Sequence, residues 1–206
     1  MAAVVPAAAD TVAADFLNGG LIGFSCPAPF QGCNAGYAFT VNQTVRVTSL
    51  GVYDSQAGIH GIVNNHQVGI WNASNNLVAS ATAGLSSPIV TAAASGIGRW
   101  LFQPITPLNL APGTYIISAF YPTGEEYFVS SSASTTVPEI TIGLPWQKIS
   151  ASFERPTTVI NTPRFGYFGP GFQIATAVPE PASAGLLIAG PVGALLVLRR
   201  RRRPTA

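Results

Sequence analysis

The chain has 206 residues, a length that suits one domain of ordinary size with terminal extensions. Only 9% of the residues are charged and 48% are apolar, which excludes a disordered chain or a coiled coil and allows a folded core. Five of the ten basic residues lie together near the C-terminus. The rest of the chain is therefore mildly acidic, and it predicts no basic face for nucleic acid.

The N-terminus has one of the three parts of a secretory signal peptide. Ala7-Ala8-Ala9 before Asp10 fits a small-residue cleavage site, but no basic start precedes it and the apolar stretch is short. We interpret residues 1–9 as the remnant of a signal peptide that begins upstream. The alternative is an alanine-rich terminus without a processing role.

Residues 10–36 form a predicted Gly- and Pro-rich leader that contains two cysteines. Cys26 and Cys33 lie in the stretch CPAPFQGC, and they could close a small disulfide ring if the protein is exported. No further ligands follow at the spacing of a zinc site, so we predict no metal there.

Residues 37–174 predict an all-β domain, since short β-prone runs alternate with Gly, Pro and Asn. Runs at this spacing are typical of an antiparallel β-sandwich, either Ig-like or jelly-roll-like. The clearest hairpin joins 66–72 to 77–83 through an Asn-rich link. A strand over 98–105 is expected to end at its prolines. The other predicted strands cover 37–41, 44–54, 108–121, 126–130, 137–143, 146–153 and 165–174.

Part of this domain resembles an uncharacterised bacterial family, domain of unknown function four thousand and eighty-two. The motifs that carry the resemblance are Gly51-Val52-Tyr53, Ile70-Trp71-Asn72, Leu77 to Thr82, Trp100 and Leu110 to Tyr115. The resemblance covers residues 36–130, and it implies an extracellular sandwich module without an assigned activity. The chain has Asn75-Asn76 where the family often has Gly, and Asn tolerates the positive φ of such a turn.

The C-terminal segment combines an apolar run with a basic end. Residues 182–198 carry no charge, and as a helix they would extend about 25 Å, close to the hydrocarbon core of about 30 Å. We predict a single C-terminal hydrophobic helix that spans the membrane. The arginines that follow would hold residues 199–206 in the cytoplasm. The alternative is a buried C-terminal helix with a solvated basic end.

The order of these parts resembles the PEP-CTERM sorting signal of Gram-negative bacteria. A linker, residues 175–181, ends in the motif, the apolar run follows, and the basic stop ends the span. The motif is Val178, Pro179, Glu180 and Pro181, and the stop is Arg199, Arg200, Arg201, Arg202 and Arg203. The resemblance implies processing by an exosortase, passage through the inner membrane, and a destination at the cell surface, in the exopolysaccharide matrix or in the medium.

The polar residues of the body predict no catalytic, cofactor or metal site. His60, His66 and Asp54 are interpreted as solvated loop residues, because their spacing does not make three ligands converge. Glu125 and Glu126 would point to opposite faces of a strand, whereas paired catalytic carboxylates must flank one bond.

Aromatic side chains offer the other candidate contacts. Trp71, Trp100 and Tyr115 fall within strand patterns, which favours core packing. Trp146, in GLPWQK, is the best candidate for an exposed glycan contact. The sequence therefore predicts an exported, non-enzymatic surface or matrix protein. A carbohydrate-binding module with exposed aromatics is the first alternative, and a glycan-active enzyme is the second.

Overall fold

The computed structural model describes residues 10–16, 21–26, 32–54, 62–93, 98–123, 126–130, 134–160, 166–167 and 169–175. They fall within one compact unit, Ala9–Thr176. Regular structure in these residues is entirely β, and none of it is helical. The strands are β1 (Asp10–Val12), β2 (Ala14–Phe16), β3 (Leu21–Ser25), β4 (Gly32–Val41), β5 (Val45–Asp54), β6 (His66–Asn72), β7 (Leu77–Ala83), β8 (Ile89–Ala92), β9 (Arg99–Leu110), β10 (Gly113–Pro122), β11 (Glu126–Ser130), β12 (Ser134–Thr136), β13 (Ile140–Ile149), β14 (Thr158–Val159), β15 (Gly166–Tyr167) and β16 (Pro170–Ala175).

The strands form two large sheets and two small ones. The five-stranded sheet has the order β1-β16-β5-β9-β8, and the six-stranded sheet has the order β14-β13-β4-β10-β6-β7. The small sheets are β15-β11-β3 and β12-β2. The pairings are antiparallel, which confirms the predicted all-β antiparallel class.

The two large sheets share one hydrophobic core, an arrangement consistent with a β-sandwich. Alternate residues of β4, including Tyr37 and Phe39, point into this core because side chains alternate between the faces of a strand. The Phe39 ring lies 4.9 Å from the ring of Phe172 in the five-stranded sheet. Burial raises the pKa of the Tyr37 phenol above its ordinary value, so this group stays neutral.

The strands begin earlier than the predicted boundary at residue 37. Strand β1 pairs with β16, and β4 starts at Gly32 rather than at Tyr37. Ala13 and Ala35 are almost completely buried. Part of the region predicted to be a leader is therefore packed inside the domain.

Prolines do not end β9, contrary to the prediction. Strand β8 pairs with β9 only as far as Phe102, so the following residues have β5 on one side and no paired strand among the described ones on the other. Pro104 and Pro107 lie in this half of β9. A sheet edge tolerates proline because no partner there needs its missing N–H.

The runs predicted at 137–143 and 146–153 are also rearranged. They form one strand, β13, with a register shift between Ile142 and Pro145. Residues 150–153 leave the sheet.

The hairpin over residues 66–83 is confirmed. Strands β6 and β7 pair antiparallel, with a register shift opposite Ile70 and Trp71. Asn75 adopts the predicted positive φ, 65°. The Asn72 side chain accepts hydrogen bonds from the backbone N–H groups of Ser74 and Asn76, each at 3.0 Å. The turn is thus held by its own amide side chain.

The segments assigned to sorting lie outside the described residues. This applies to residues 1–9, to the motif at 178–181, to the span at 182–198 and to the tail at 199–206. Within the described part of the chain, no helix is long and apolar enough to cross a membrane.

Replacing Phe39 by Ala should lower the free energy of unfolding by about 3–5 kcal/mol, because it leaves a cavity between the sheets. Chemical denaturation monitored by tryptophan fluorescence measures this loss. Thr114→Ala, on an exposed residue of β10, is the control and should change stability by less than about 0.5 kcal/mol. Equal losses in both variants would contradict a core that joins the sheets at Phe39.

Candidate functional site

A row of residues crosses the outer face of the six-stranded sheet. Trp146 on β13 pairs with Gly36 on β4, Gly36 pairs with Ser118 on β10, and Ser118 pairs with Gly69 on β6. Paired residues point to the same face, and the neighbours of Gly36, Ser118 and Gly69 along their strands point into the core. Two of the four positions are glycine, and both glycines are buried. We call these four residues the outer row.

The segment between β13 and β14, residues 150–157, covers part of this face. The Asn34 side chain donates a hydrogen bond to the Ser152 carbonyl at 2.9 Å, and its oxygen accepts one from the Glu154 N–H at 3.0 Å. Phe153 lies over the sheet, with its ring 5.2 Å from the ring of Trp71. Asn34, Trp71 and Ser118 are consequently buried, although they point away from the core. We call residues 150–157 the covering segment.

Close packing explains the two glycines of the outer row. A Cβ at Gly69 would lie 2.7 Å from the Phe153 ring, and a Cβ at Gly36 would lie 1.9 Å from the Ile117 carbonyl oxygen. A side chain at either position would push apart the strands or the covering segment.

Trp146, the predicted glycan contact, is half-buried at the end of the outer row. The guanidinium carbon of Arg155 lies over its ring, 5.3 Å from the centroid. Such a cation–π contact contributes about 0.5–1 kcal/mol at an exposed site. Val159 on β14 pairs with Trp146 and is 38% exposed. The indole is therefore at the surface and is partly occupied by the protein's own arginine.

An ion pair fixes the covering segment beside Trp146. The Lys148 ammonium on β13 donates a hydrogen bond to the Glu154 carboxylate. This hydrogen bond, followed by one from Ser150, lowers the pKa of Glu154 below its ordinary value. About a third of each side chain is exposed, so solvent screens the pair.

Cys26 and Cys33 form a disulfide. Both residues are buried, and Cys33 lies at the start of β4. The bond ties the chain that precedes β4 to the six-stranded sheet. Closing a loop of this length contributes about 2–3 kcal/mol in the chain-entropy account.

Asp54 and His66 are not the solvated loop residues that the sequence predicts. Asp54 is the last residue of β5, where its carboxylate accepts from Arg99 at 3.0 Å and from the Ile62 N–H at 3.3 Å. His66 is buried at the start of β6, and its Nδ1 donates to the Phe120 carbonyl at 2.9 Å. Arg99 and Phe120 lie far along the chain from Asp54 and His66, which is why residue spacing did not reveal these contacts.

The other polar candidates do not gather into a site in the described part of the chain. His60 and Glu125 lie outside the described residues, and Glu126 lies on β11. Among the described residues, no three His, Cys, Asp or Glu side chains are grouped so that they could hold a metal ion.

The predicted core packing is confirmed for Trp100, which is buried in a second hydrophobic cluster. Trp71 is buried too, but it lies on the outer face beneath the covering segment and not in the core. The ring of Trp100 lies 5.5 Å from that of Tyr53, and its indole N–H donates to Asp15 at 2.8 Å. Asp15 is a buried carboxylate that the sequence analysis missed, because it lies in the region predicted to be a leader. Tyr115 is half-buried and stacks on Phe39 with 5.6 Å between the rings.

Comparison with known proteins adds no assignment to this geometry. The chain matches no protein-family model and no curated protein. The two resemblances therefore stay predictions.

Lys148→Met should raise the pKa of the Glu154 carboxyl toward its ordinary value, because the hydrogen bond that favours the charged form is lost. Carbon-detected NMR titration of the glutamate carboxyls measures the change. Because the pKa of Glu154 is lower in the folded state than in the unfolded state, its ionised carboxylate stabilises the fold at pH values above the unfolded-state pKa. The stability difference between wild type and K148M, below about 1 kcal/mol, should therefore disappear as pH falls through the folded pKa. Arg46→Met, on an exposed residue of β5, is the control. An unchanged Glu154 titration in K148M would refute the ion pair.

Proposed function

We propose that the protein is an exported, non-enzymatic component of the cell surface or the exopolysaccharide matrix. The observation that carries the proposal is the order of three parts at the C-terminus: Pro179-Glu180-Pro181, the uncharged residues 182–198 and the arginines 199–203. The disulfide between Cys26 and Cys33 supports export, since such bonds persist in oxidising compartments.

The proposal assigns a role to each part of the tail. Residues 182–198 form one hydrophobic helix across the inner membrane, and residues 199–206 stay in the cytoplasm. The motif at 178–181 then meets an exosortase on the outer side, and the enzyme cleaves near it. The preceding domain, an Ig-like or jelly-roll-like sandwich in this proposal, is released or displayed outside the cell.

The contacts of the body support a non-enzymatic role. Four side chains with acid–base chemistry are engaged in structural contacts: Asp15 with Trp100, Asp54 with Arg99, His66 with Phe120 and Glu154 with Lys148. These groups hold strands and segments together, so we propose neither catalysis nor a cofactor. Of the three functions considered, these contacts favour a glycan-active enzyme least.

Intact mass and cell fractionation of the native protein, with and without the host's exosortase, test the proposal. We expect a mature form that ends near Pro181 in the matrix or medium of the wild-type strain, and full-length protein in the membrane of the mutant. Glu180→Ala should block processing as well, whereas Glu139→Ala, in the body, should not. Full-length protein in the membrane of both strains would mean that the tail is an ordinary anchor, and the matrix role would fall with it.

The position of Trp146 favours carbohydrate binding as a second candidate function. Its indole is half-buried at the end of the outer row, where a sugar ring could stack on it after Arg155 moves aside.

Pull-down and titration with the host's exopolysaccharide test this second candidate. Trp146→Ala should weaken saturable binding about tenfold or more, since an aromatic anchor is lost. Leu144→Ala is the matched control, because this apolar residue of the same strand is 52% exposed. Undiminished binding by W146A would rule out the indole as the anchor.

A further inference from the structure

Strand β7 forms an open edge of the six-stranded sheet. Among the described strands it pairs only with β6, along a register that is regular from Ala79 to Ala83. The outer side of an edge strand presents N–H and C=O groups that can pair with another extended chain. The free backbone groups of β7 are therefore suited to pair with another β-strand.

The other edges of the two large sheets carry features that discourage pairing, and β7 does not. Strand β14 has two residues, and β1 has three and begins with the exposed Asp10. Strand β8 has four residues, and the open half of β9 contains Pro104 and Pro107. Short strands, charges and prolines are the usual protections of an edge. Strand β7 has seven residues, none of them charged and none of them proline.

The absence of charge extends far beyond β7. No Asp, Glu, Lys or Arg occurs between Asp54 and Arg99, a stretch that includes β6, β7 and β8. Along β7, Ser80 and Thr82 are exposed, and Leu77 is 47% exposed. The exposed side chains of β7 are thus uncharged, and they comprise two hydroxyl groups and one large apolar group.

The lack of charge on this edge favours a second copy of the chain as the pairing strand over a strand from a different protein. When two identical edges pair about a two-fold axis, each side chain faces itself or a close neighbour from the other copy. A charged edge would repel its own copy, because like charges directly opposite each other are destabilising. An edge adapted to a different partner has no such restriction and could carry charges that complement that partner.

We propose that the β7 edges of two copies pair antiparallel and join their six-stranded sheets into one continuous sheet. The backbone groups of Ala79 to Ala83 form the ladder, and Ser80 and Thr82 meet their counterparts on the exposed side. The pairing uses neither the C-terminal tail nor Trp146, so it is independent of the proposed function.

Sedimentation velocity of the full chain in detergent, over a range of concentrations, tests the proposal. Wild type should show a concentration-dependent dimer. The double variant S80K/T82K places like charges across the pairing and should weaken dimerisation about tenfold or more. S80T/T82S keeps the edge neutral and should retain the dimer. T106K/N109K adds the same charge at exposed positions of β9 and should also retain it.

Cross-linking tests the same pairing if the lysines of S80K/T82K prevent folding. Circular dichroism shows whether S80K/T82K is folded. If it is not, the single variant Ser80→Cys decides, because a short bismaleimide should join two copies through β7 while Thr106→Cys gives no product. A monomeric wild type would overturn the proposal. So would a dimer that S80K/T82K leaves intact while folded, or a Ser80→Cys chain that does not cross-link.

Discussion

The contact between Phe39 and Phe172 is the interaction on which the two large sheets depend. Strand β4 lies inside the six-stranded sheet, with β13 on one side and β10 on the other, so it anchors the pairing of both neighbours. Its inward side chains, with Phe39 at 0% exposure, fill the space up to the five-stranded sheet. Without this packing the sheets would expose apolar faces, and neither would be stable alone.

The opposite face of β4 is constrained by the covering segment. Asn34 is a buried amide, and leaving such a group unsatisfied costs about 1–3 kcal/mol. The backbone of residues 152 and 154 satisfies it. Phe153 can reach the sheet only because Gly69 has no side chain there. The pairing of β13 with β4 places Trp146, and the contact of the covering segment with the sheet holds Arg155 over its ring.

Local patterns in the sequence predicted local structure, but they did not predict contacts between residues that lie far apart in the chain. The hairpin at 66–83 follows from alternation and from an Asn-rich link, both of which lie within the hairpin. The early strands were missed because Gly and Pro indicated a leader, whereas Ala13 and Ala35 are buried by partners far along the chain. Asp54 and His66 were misread for the same reason, since Arg99 and Phe120 are distant in sequence. Pro104 and Pro107 are tolerated in β9 because that half of the strand is an edge, and an edge is a property of the whole sheet.

The placement of the few charges links the fold to the proposed setting of the protein. Arg99 and Lys148 are each used in an ion pair, and strands β6, β7 and β8 contain no Asp, Glu, Lys or Arg. Soluble proteins that must stay monomeric usually protect an open edge with charge or proline. In the two large sheets, proline lies in the open half of β9, whereas β7 has neither proline nor charge. In a matrix component, association of copies would be useful rather than harmful. An unprotected β7 is thus compatible with the proposed destination, whereas a protein required to diffuse alone would be expected to protect it.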